Sequence, residues 1–327
     1  MCMINEYKGT VIHPGNQPIR VLINNVLNAF ESVYPDFKTE AIKHYGNYGL
    51  SVGIPYHLDK LALDCEDPCM VPESFEENGT QYIVLSETFL SYLWCLCFSL
   101  YIPFHEFIDK RAREQIPYDE LLGRIDNNLF ILANNVFSFG LSLLKNYSNW
   151  DVNRLVNPEF YPECYREIIG EVNYVFTQAT TYILHHELAH VKKGHNLDSC
   201  TKSSLSKEKE AEIEAFRAII SGFKDSDDKN NKSIGVIAGI CAGFFLSPSI
   251  YTEDHPDSDT RIQMYFEELG DVDDSLWSIP CFAYHLWGSY YQYELQIPPD
   301  SEEPTYHDQF LSYTEQIRKI LSEVSNA

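Results

Sequence analysis

The sequence HHELAHVKKGH, at residues 185–195, continues a long pattern of apolar residues spaced three and four apart. Val175, Ala179, Tyr182 and Ile183 precede it in that spacing, which is the spacing of residues on one face of an α-helix. Gly194 is a typical residue at the end of a helix. The pattern therefore predicts a helix that packs into a hydrophobic core and carries its histidines into that core.

An H-E-x-x-H box lies inside this helix. His186 and His190 are four residues apart, so their imidazoles lie one above the other on the helix and can bind a single Zn²⁺. Glu187 lies beside them, where a carboxylate can act as the general base toward a water molecule. The alternative is a pair of core histidines that hydrogen-bond to other buried groups, since unpaired buried imidazoles are costly. The box predicts a zinc hydrolase.

A catalytic zinc usually takes three protein ligands, so a third is expected elsewhere in the chain. A second, acidic helix is predicted over residues 207–220, after a polar loop. Glu208 and Glu212 lie in line with its apolar stripe, which makes Glu208 the predicted third ligand and Glu212 a hydrogen-bond acceptor that holds a ligand imidazole. Glu210 and Glu214 are expected on the solvated face of this helix.

Together, these two segments resemble the gluzincin pattern H-E-x-x-H-x-x-x-G-H followed by E-x-E-A-D, and more narrowly the Lit-like phage-exclusion peptidases of bacteria. The resemblance spans residues 80–265 and includes the segment Leu85–Trp94. It implies zincin-like metallopeptidase helices and a cytosolic zinc endopeptidase. By the same resemblance, the substrate would be a translation factor that is cleaved in anti-phage defence, with a phage-derived component as activator.

Two features leave the third ligand open between Glu208 and Glu212. Glu212 stands where the family usually carries Asp, and residues 212–215 also read E-x-E-A, which would move the ligand one helical turn to Glu212. Phe216 would then occupy the Asp position, and a phenyl ring cannot accept a hydrogen bond as a carboxylate does. The register that makes Glu208 the ligand keeps a carboxylate there and is preferred.

A third segment, DHPDSDTRI at residues 254–262, resembles the H-P-x-x-x-x-R-I segment of several gluzincin groups. Its proline predicts an extended entry into a helix that begins near Asp257 or Ser258. The resemblance implies that His255 and Arg261 face the active site, where His255 would stabilise the oxyanion of a tetrahedral intermediate. The structural alternative is a capped helix entrance with Arg261 in an ion pair.

The composition argues against several classes of function. The chain has 327 residues, 44% of them apolar, and a formal net charge of −24, which opposes binding to nucleic-acid phosphates or anionic lipid. The apolar segments Phe89–Phe104 and Ile234–Leu246 are shorter than the roughly 20 residues of a membrane span and are expected to be buried helices. We therefore expect a protein substrate, no nucleic acid and no membrane.

The nine cysteines are odd in number, and several lie inside apolar runs such as WCLCF at residues 94–98. This usage is typical of reduced core cysteines in a reducing compartment. Residues 1–6 contain neither the basic part nor the long apolar part of a signal peptide. Both features predict a cytoplasmic protein.

The chain is expected to fold as an α+β protein that is mainly α-helical. Residues 1–80 are predicted to form a small N-terminal α/β cap, residues 81–265 a helical zincin-like catalytic core, and residues 266–327 a C-terminal helical closing segment. The polar residues 224–232 are expected to form a solvent loop. The other predicted elements are helices over Ile19–Val33, Asp119–Asn146 and Thr305–Val324, and strands over His44–Ile54 and Gln81–Leu85.

Two rival functions remain. One is a regulatory zinc peptidase of the ImmA/IrrE type, but such proteins often carry a DNA-binding domain, and the acidic charge counts against one here. The other is a non-catalytic binding module that keeps the zincin-like helices for structure only. The metal content of the protein and the activity of a Glu187 variant would separate these cases.

Overall fold

The computed structural model describes residues 4–6, 17–35, 51–53, 71–77, 80–195, 200, 202–246, 256–297 and 305–325. Helices make up most of this part of the chain, so the predicted α+β class that is mainly α-helical is confirmed. The helices are α1 (Ile23–Val33), α2 (Glu87–Phe104), α3 (Lys110–Glu114), α4 (Tyr118–Leu122), α5 (Asn127–Leu143), α6 (Arg166–Lys193), α7 (Ser204–Ser221), α8 (Ser226–Cys241), α9 (Ser258–Leu269), α10 (Ser278–Tyr291) and α11 (Tyr306–Ser325).

Short strands form two small sheets in the described residues. In the larger sheet β4 is central, with β2 parallel to it on one side and β3 antiparallel to it on the other. In the smaller sheet β1 pairs antiparallel with β5. β3 is therefore an edge strand, and both it and β4 pack against α6. The strands are β1 (Ile4–Glu6), β2 (Ser51–Gly53), β3 (Glu73–Glu77), β4 (Thr80–Val84) and β5 (Phe160–Pro162).

Helix α6 runs through the centre of the fold, with α1, α2, α7 and α8 packed around it. Every residue of α6 from Val175 to Val191 is buried. Gly235 and Gly239 allow α8 to approach α6 closely. A Cβ at Gly235, for example, would lie 2.4 Å from the Cβ of Gln178. Glu187 is the one carboxylic acid in this buried span, and enclosing it is costly unless it has partners.

The two apolar segments are helical and lie in the core, as the sequence predicts. Within the described residues, one helix, continuous from Glu87 to Glu114, is long and apolar enough to cross a membrane. Of its most apolar window, 89% is buried inside the protein. The second segment, Ile234–Leu246, continues α8 into a 3₁₀ turn over Ala242–Phe245 and is also buried over most of its length. Both segments contribute to the core around α6.

The prediction of a solvent loop over residues 224–232 is wrong. Helix α8 begins at Ser226, and the Asp225 side chain caps it by accepting a 2.8 Å hydrogen bond from the backbone N–H of Asp228. The ammonium of Lys232, one turn further, lies 2.8 Å from the Asp228 carboxylate. Acidic residues suit a helix N-terminus and pair well four residues before a lysine, so this polar segment is stable as helix.

Two helix boundaries also differ from expectation. The single helix predicted over Asp119–Asn146 is divided into α4 and α5, with Gly123 after α4 and Asp126 as the N-cap of α5. Helix α7 begins at Ser204 rather than Lys207, because the Ser203 hydroxyl accepts a hydrogen bond from the first turn. Local capping groups set both boundaries.

The expectation that all cysteines are reduced is wrong for Cys164, which is disulfide-bonded. Burial raises the pKa of the Cys95 thiol well above its usual value, as expected for an unreactive core cysteine. The free cysteines are Cys95, Cys97, Cys200, Cys241 and Cys281.

Candidate metal centre

The end of α6 and the packing of α7 along it bring the predicted site residues together. Helix α6 ends at Gly194, whose φ of 66° lies in the left-handed region that glycine adopts without strain. The backbone N–H of His195 then donates a 3.0 Å hydrogen bond to the carbonyl of His190. Because α7 packs along α6, the acidic first half of α7 lies beside the H-E-x-x-H box.

His186, His190 and Glu208 converge on one point. Nε2 of His186 lies 3.1 Å from Nε2 of His190, and the Glu208 carboxylate oxygens lie 3.3 Å from each of these nitrogens. All three potential ligand atoms fall within 4.8 Å of one another, and their side chains are nearly enclosed. The group could hold a metal ion. Two imidazole nitrogens and one carboxylate form a donor set that suits zinc.

Glu212 lies behind this cluster, 1% exposed. Its Oε1 is 3.4 Å from Nδ1 of His186 and 2.5 Å from the Arg261 guanidinium. Its Oε2 accepts a 2.6 Å hydrogen bond from the Tyr182 hydroxyl, to which Arg261 also donates. Glu212 is therefore placed to hold the imidazole of His186, and Arg261 to hold Glu212.

The buried charges at this position shift one another's pKa. Burial disfavours the charged form of Glu212, but Arg261 and His186 outweigh it and lower the pKa of Glu212 to about 2. Burial likewise opposes the charged form of His186, yet Glu212 and Glu208 raise the pKa of His186 to about 10. The two carboxylates therefore favour a positive charge at this position, which a proton or a bound cation can supply.

Glu187 lies next to the cluster and is 7% exposed. Burial raises the pKa of its carboxyl group, while His186 and His190 partly oppose that rise. The Ser74 side chain, on the edge strand β3, hydrogen-bonds to it. A carboxyl group with a raised pKa, held in place beside this cluster, accepts a proton more readily than an exposed one and can return it.

Sequence reasoning missed four residues that contact the site, namely Ser74, Tyr182, His195 and Glu210. Nδ1 of His195 lies 3.2 Å from Nδ1 of His190, and its Nε2 lies 3.1 Å from the Glu210 carboxylate. Glu210 was expected on the solvated face, but it is half-buried and also contacts Lys202. The signal for His195 was its place directly after the helix-ending glycine. No sequence pattern singled out Glu210, because nothing in its neighbours distinguishes it from the other glutamates of α7.

The remaining predicted residues fall in different places. Arg261 lies in α9, which begins at Ser258 with Asp257 as its N-cap, as the sequence predicts. Its guanidinium points to Glu212 and Tyr182, which makes it part of a buried ion pair. His255 lies outside the described residues, and its predicted role stays a prediction.

Comparison with known proteins agrees with a hydrolytic site. The family model for peptidase U49 matches residues 83–293, more than half of the chain. No curated protein and no solved structure gave a significant match. The matched segment contains α6, α7 and α9, and with them every residue of the cluster described above. The chain belongs to the peptidase U49 family.

Proposed function

We propose that this protein is a zinc-dependent endopeptidase that hydrolyses a peptide bond in a cytosolic protein. The observation that carries the proposal is the convergence of His186, His190 and Glu208 beside the buried acid Glu187, in a chain that belongs to a peptidase family. A bound zinc ion would polarise the peptide carbonyl and lower the pKa of a water molecule at the site.

The chain's own residues supply the proton transfers. Glu187 accepts a proton from the attacking water and returns it to the leaving amine, a role that suits a carboxyl group whose pKa is raised by burial. Ser74 fixes the carboxylate, and Glu212 fixes His186. His255 is proposed, from sequence resemblance alone, to stabilise the oxyanion.

The edge strand β3 offers a way to bind an extended peptide. It pairs with β4 on one side, and no described strand pairs with its other side. A peptide that added to this edge would receive backbone hydrogen bonds and would pass close to Glu187, which Ser74 of β3 contacts. Such binding recognises the peptide through backbone hydrogen bonds rather than through its side chains, so it suits a protein substrate.

The finer assignment rests on sequence resemblance to Lit-like phage-exclusion peptidases. It proposes a translation factor as substrate, a role in anti-phage defence, a phage-derived activator and a cytoplasmic location. The free core cysteines support a reducing compartment, although the disulfide at Cys164 runs against it. The net charge of −24 would attract a basic segment of a protein substrate.

The test compares wild type with Glu187→Gln in bacteria, with and without phage infection. New protein termini are sought by mass spectrometry, and zinc in the purified proteins is measured by elemental analysis. We expect one zinc per chain in both proteins and new termini in wild type only. Glu214→Gln, which changes an exposed acid on α7, serves as the control and should behave as wild type.

Two outcomes would contradict the proposal, and a third would contradict only its substrate assignment. Wild type without bound zinc would remove the metal centre. Zinc-loaded wild type and Glu187→Gln with the same termini would leave a non-catalytic zincin-like module, and cleavage without any change in a translation factor would overturn only the substrate assignment.

A further inference from the structure

His190 and His186 are supported from behind in different ways. Nδ1 of His186 lies 3.4 Å from a carboxylate, that of Glu212. Nδ1 of His190 instead lies 3.2 Å from Nδ1 of another imidazole, that of His195. Because a ligand imidazole needs an acceptor for its second N–H, the environment of His195 decides how well His190 is held.

The proton positions along this contact follow from the hydrogen-bond partners. If Nε2 of His190 faces the metal, its proton is on Nδ1, and it must donate to a lone pair on Nδ1 of His195. His195 then carries its own proton on Nε2, which faces the Glu210 carboxylate at 3.1 Å. Each N–H in this series of hydrogen bonds meets one acceptor, and the last acceptor is the negatively charged carboxylate of Glu210.

His195 and Glu210 are both held in place by contacts that do not involve the metal. The backbone of His195 donates to the carbonyl of His190 and accepts a 2.7 Å hydrogen bond from Lys207. The Glu210 carboxylate contacts the ammonium groups of Lys202 and Lys193. His195 is 3% exposed, so water does not compete for its ring.

We infer that His195 and Glu210 act as positioning residues for the metal ligand His190, by fixing its ring and its Nδ1–H tautomer through a histidine-to-carboxylate relay. The inference rests on the proposed zinc site. It adds a second anion behind the ligands, so that both imidazoles are held by acids of α7, His186 directly by Glu212 and His190 through His195.

The test measures zinc affinity by chelator competition, with zinc alone as the probe, in a set of full-length variants. His195→Ala should bind zinc about 10- to 100-fold more weakly, as is typical when a hydrogen-bond partner of a metal ligand is removed. His195→Asn should recover most of the affinity, because its amide oxygen can accept the proton from His190. Glu210→Gln should lose less than His195→Ala, and Glu214→Gln, on the same helix, should lose nothing.

A second readout separates positioning from space filling. Nitrogen NMR of the zinc-loaded wild type should show His190 protonated on Nδ1, and circular dichroism should show that each variant folds. Wild-type affinity in His195→Ala, equal losses in the alanine and asparagine variants, or a His190 proton on Nε2 would overturn the relay. Wild type that binds no zinc would end both proposals, whereas zinc binding and cleavage without an effect of His195 would end this one alone.

Discussion

Glu212 and Arg261 carry opposite charges in a place that water scarcely reaches. Glu212 is 1% exposed, and its carboxylate is shared among Arg261, Tyr182 and His186. Burying ions is costly, and such a group is stable only while every charge has a partner. The arrangement therefore holds His186 in place, and removal of one member should cause a large loss of stability.

The Glu212→Gln substitution should lower the free energy of unfolding of the metal-free protein by about 3 kcal/mol or more, since it leaves the Arg261 guanidinium buried without its counter-charge. Urea denaturation followed by circular dichroism measures this. Glu214→Gln is the matched control, because Glu214 is exposed and its ion pair with Lys193 should contribute less than about 1 kcal/mol. Equal stabilities of the two variants would show that Arg261 finds another partner.

At the scale of elements, close packing against α6 depends on residues without side chains. A Cβ at Gly235 would lie 2.4 Å from the Cβ of Gln178 and 2.7 Å from the carbonyl oxygen of Val175. Neither atom can move far, since both belong to a helix that is enclosed by its neighbours. The position of α8 against α6 thus depends on Gly235.

Gly235→Ala should destabilise the protein by about 1–3 kcal/mol, as overpacking of a core does. Gly170→Ala is the counterpart in α6, where a Cβ would meet nothing within 4 Å. That substitution should be neutral or should stabilise the helix by up to about 1 kcal/mol, because alanine loses less backbone entropy on folding. Thermal denaturation of both variants measures the difference, and a destabilised Gly170→Ala would contradict the packing argument.

The start of α8 depends on its cap. Asp225→Ala should cost about 1 kcal/mol, because the N–H of Asp228 loses its acceptor, whereas Asp225→Ser should retain the stability. Hydrogen exchange of the amides in the first turn would report the loss locally. Equal exchange in the two variants would mean that the ion pair between Lys232 and Asp228 alone holds the turn.

For the whole molecule, the proposed metal couples two helices that follow one another in the sequence. His186 and His190 come from α6 and Glu208 from α7, so a bound ion would connect the core helix to the acidic one. A ligand that binds the folded state but not the unfolded state stabilises the folded state by mass action. The carboxylates around the site also repel one another less when a cation is present.

Zinc at a free concentration 100 times its dissociation constant should raise the free energy of unfolding of wild type by about 2.7 kcal/mol. Scanning calorimetry with added zinc, and again after chelation, measures this. Glu208→Ala removes one ligand and should abolish most of the rise. A rise of the same size in that variant would place the stabilising zinc elsewhere in the molecule.

Sequence reasoning reached as far as local patterns extend. The spacing of apolar residues was sufficient to predict α6 and the buried helices α2 and α8, because helical periodicity shows in residues only three and four positions apart. It was insufficient for residues 224–232, where polarity indicated a loop and a capped helix formed instead. The predicted domain boundaries at residues 80 and 265 stay predictions, as does the role of His255.

The sequence alone determined which side chains could bind a metal, because one helix places His186 and His190 a turn apart wherever it lies. The tertiary structure decided what stands behind and beside them. The contacts of His195 with Glu210, Glu212 with Arg261, and Glu187 with Ser74 each join residues from different elements. No local pattern specifies such contacts, since they depend on how the turn at Gly194 and the packing of α7, α9 and β3 bring distant residues within hydrogen-bond distance.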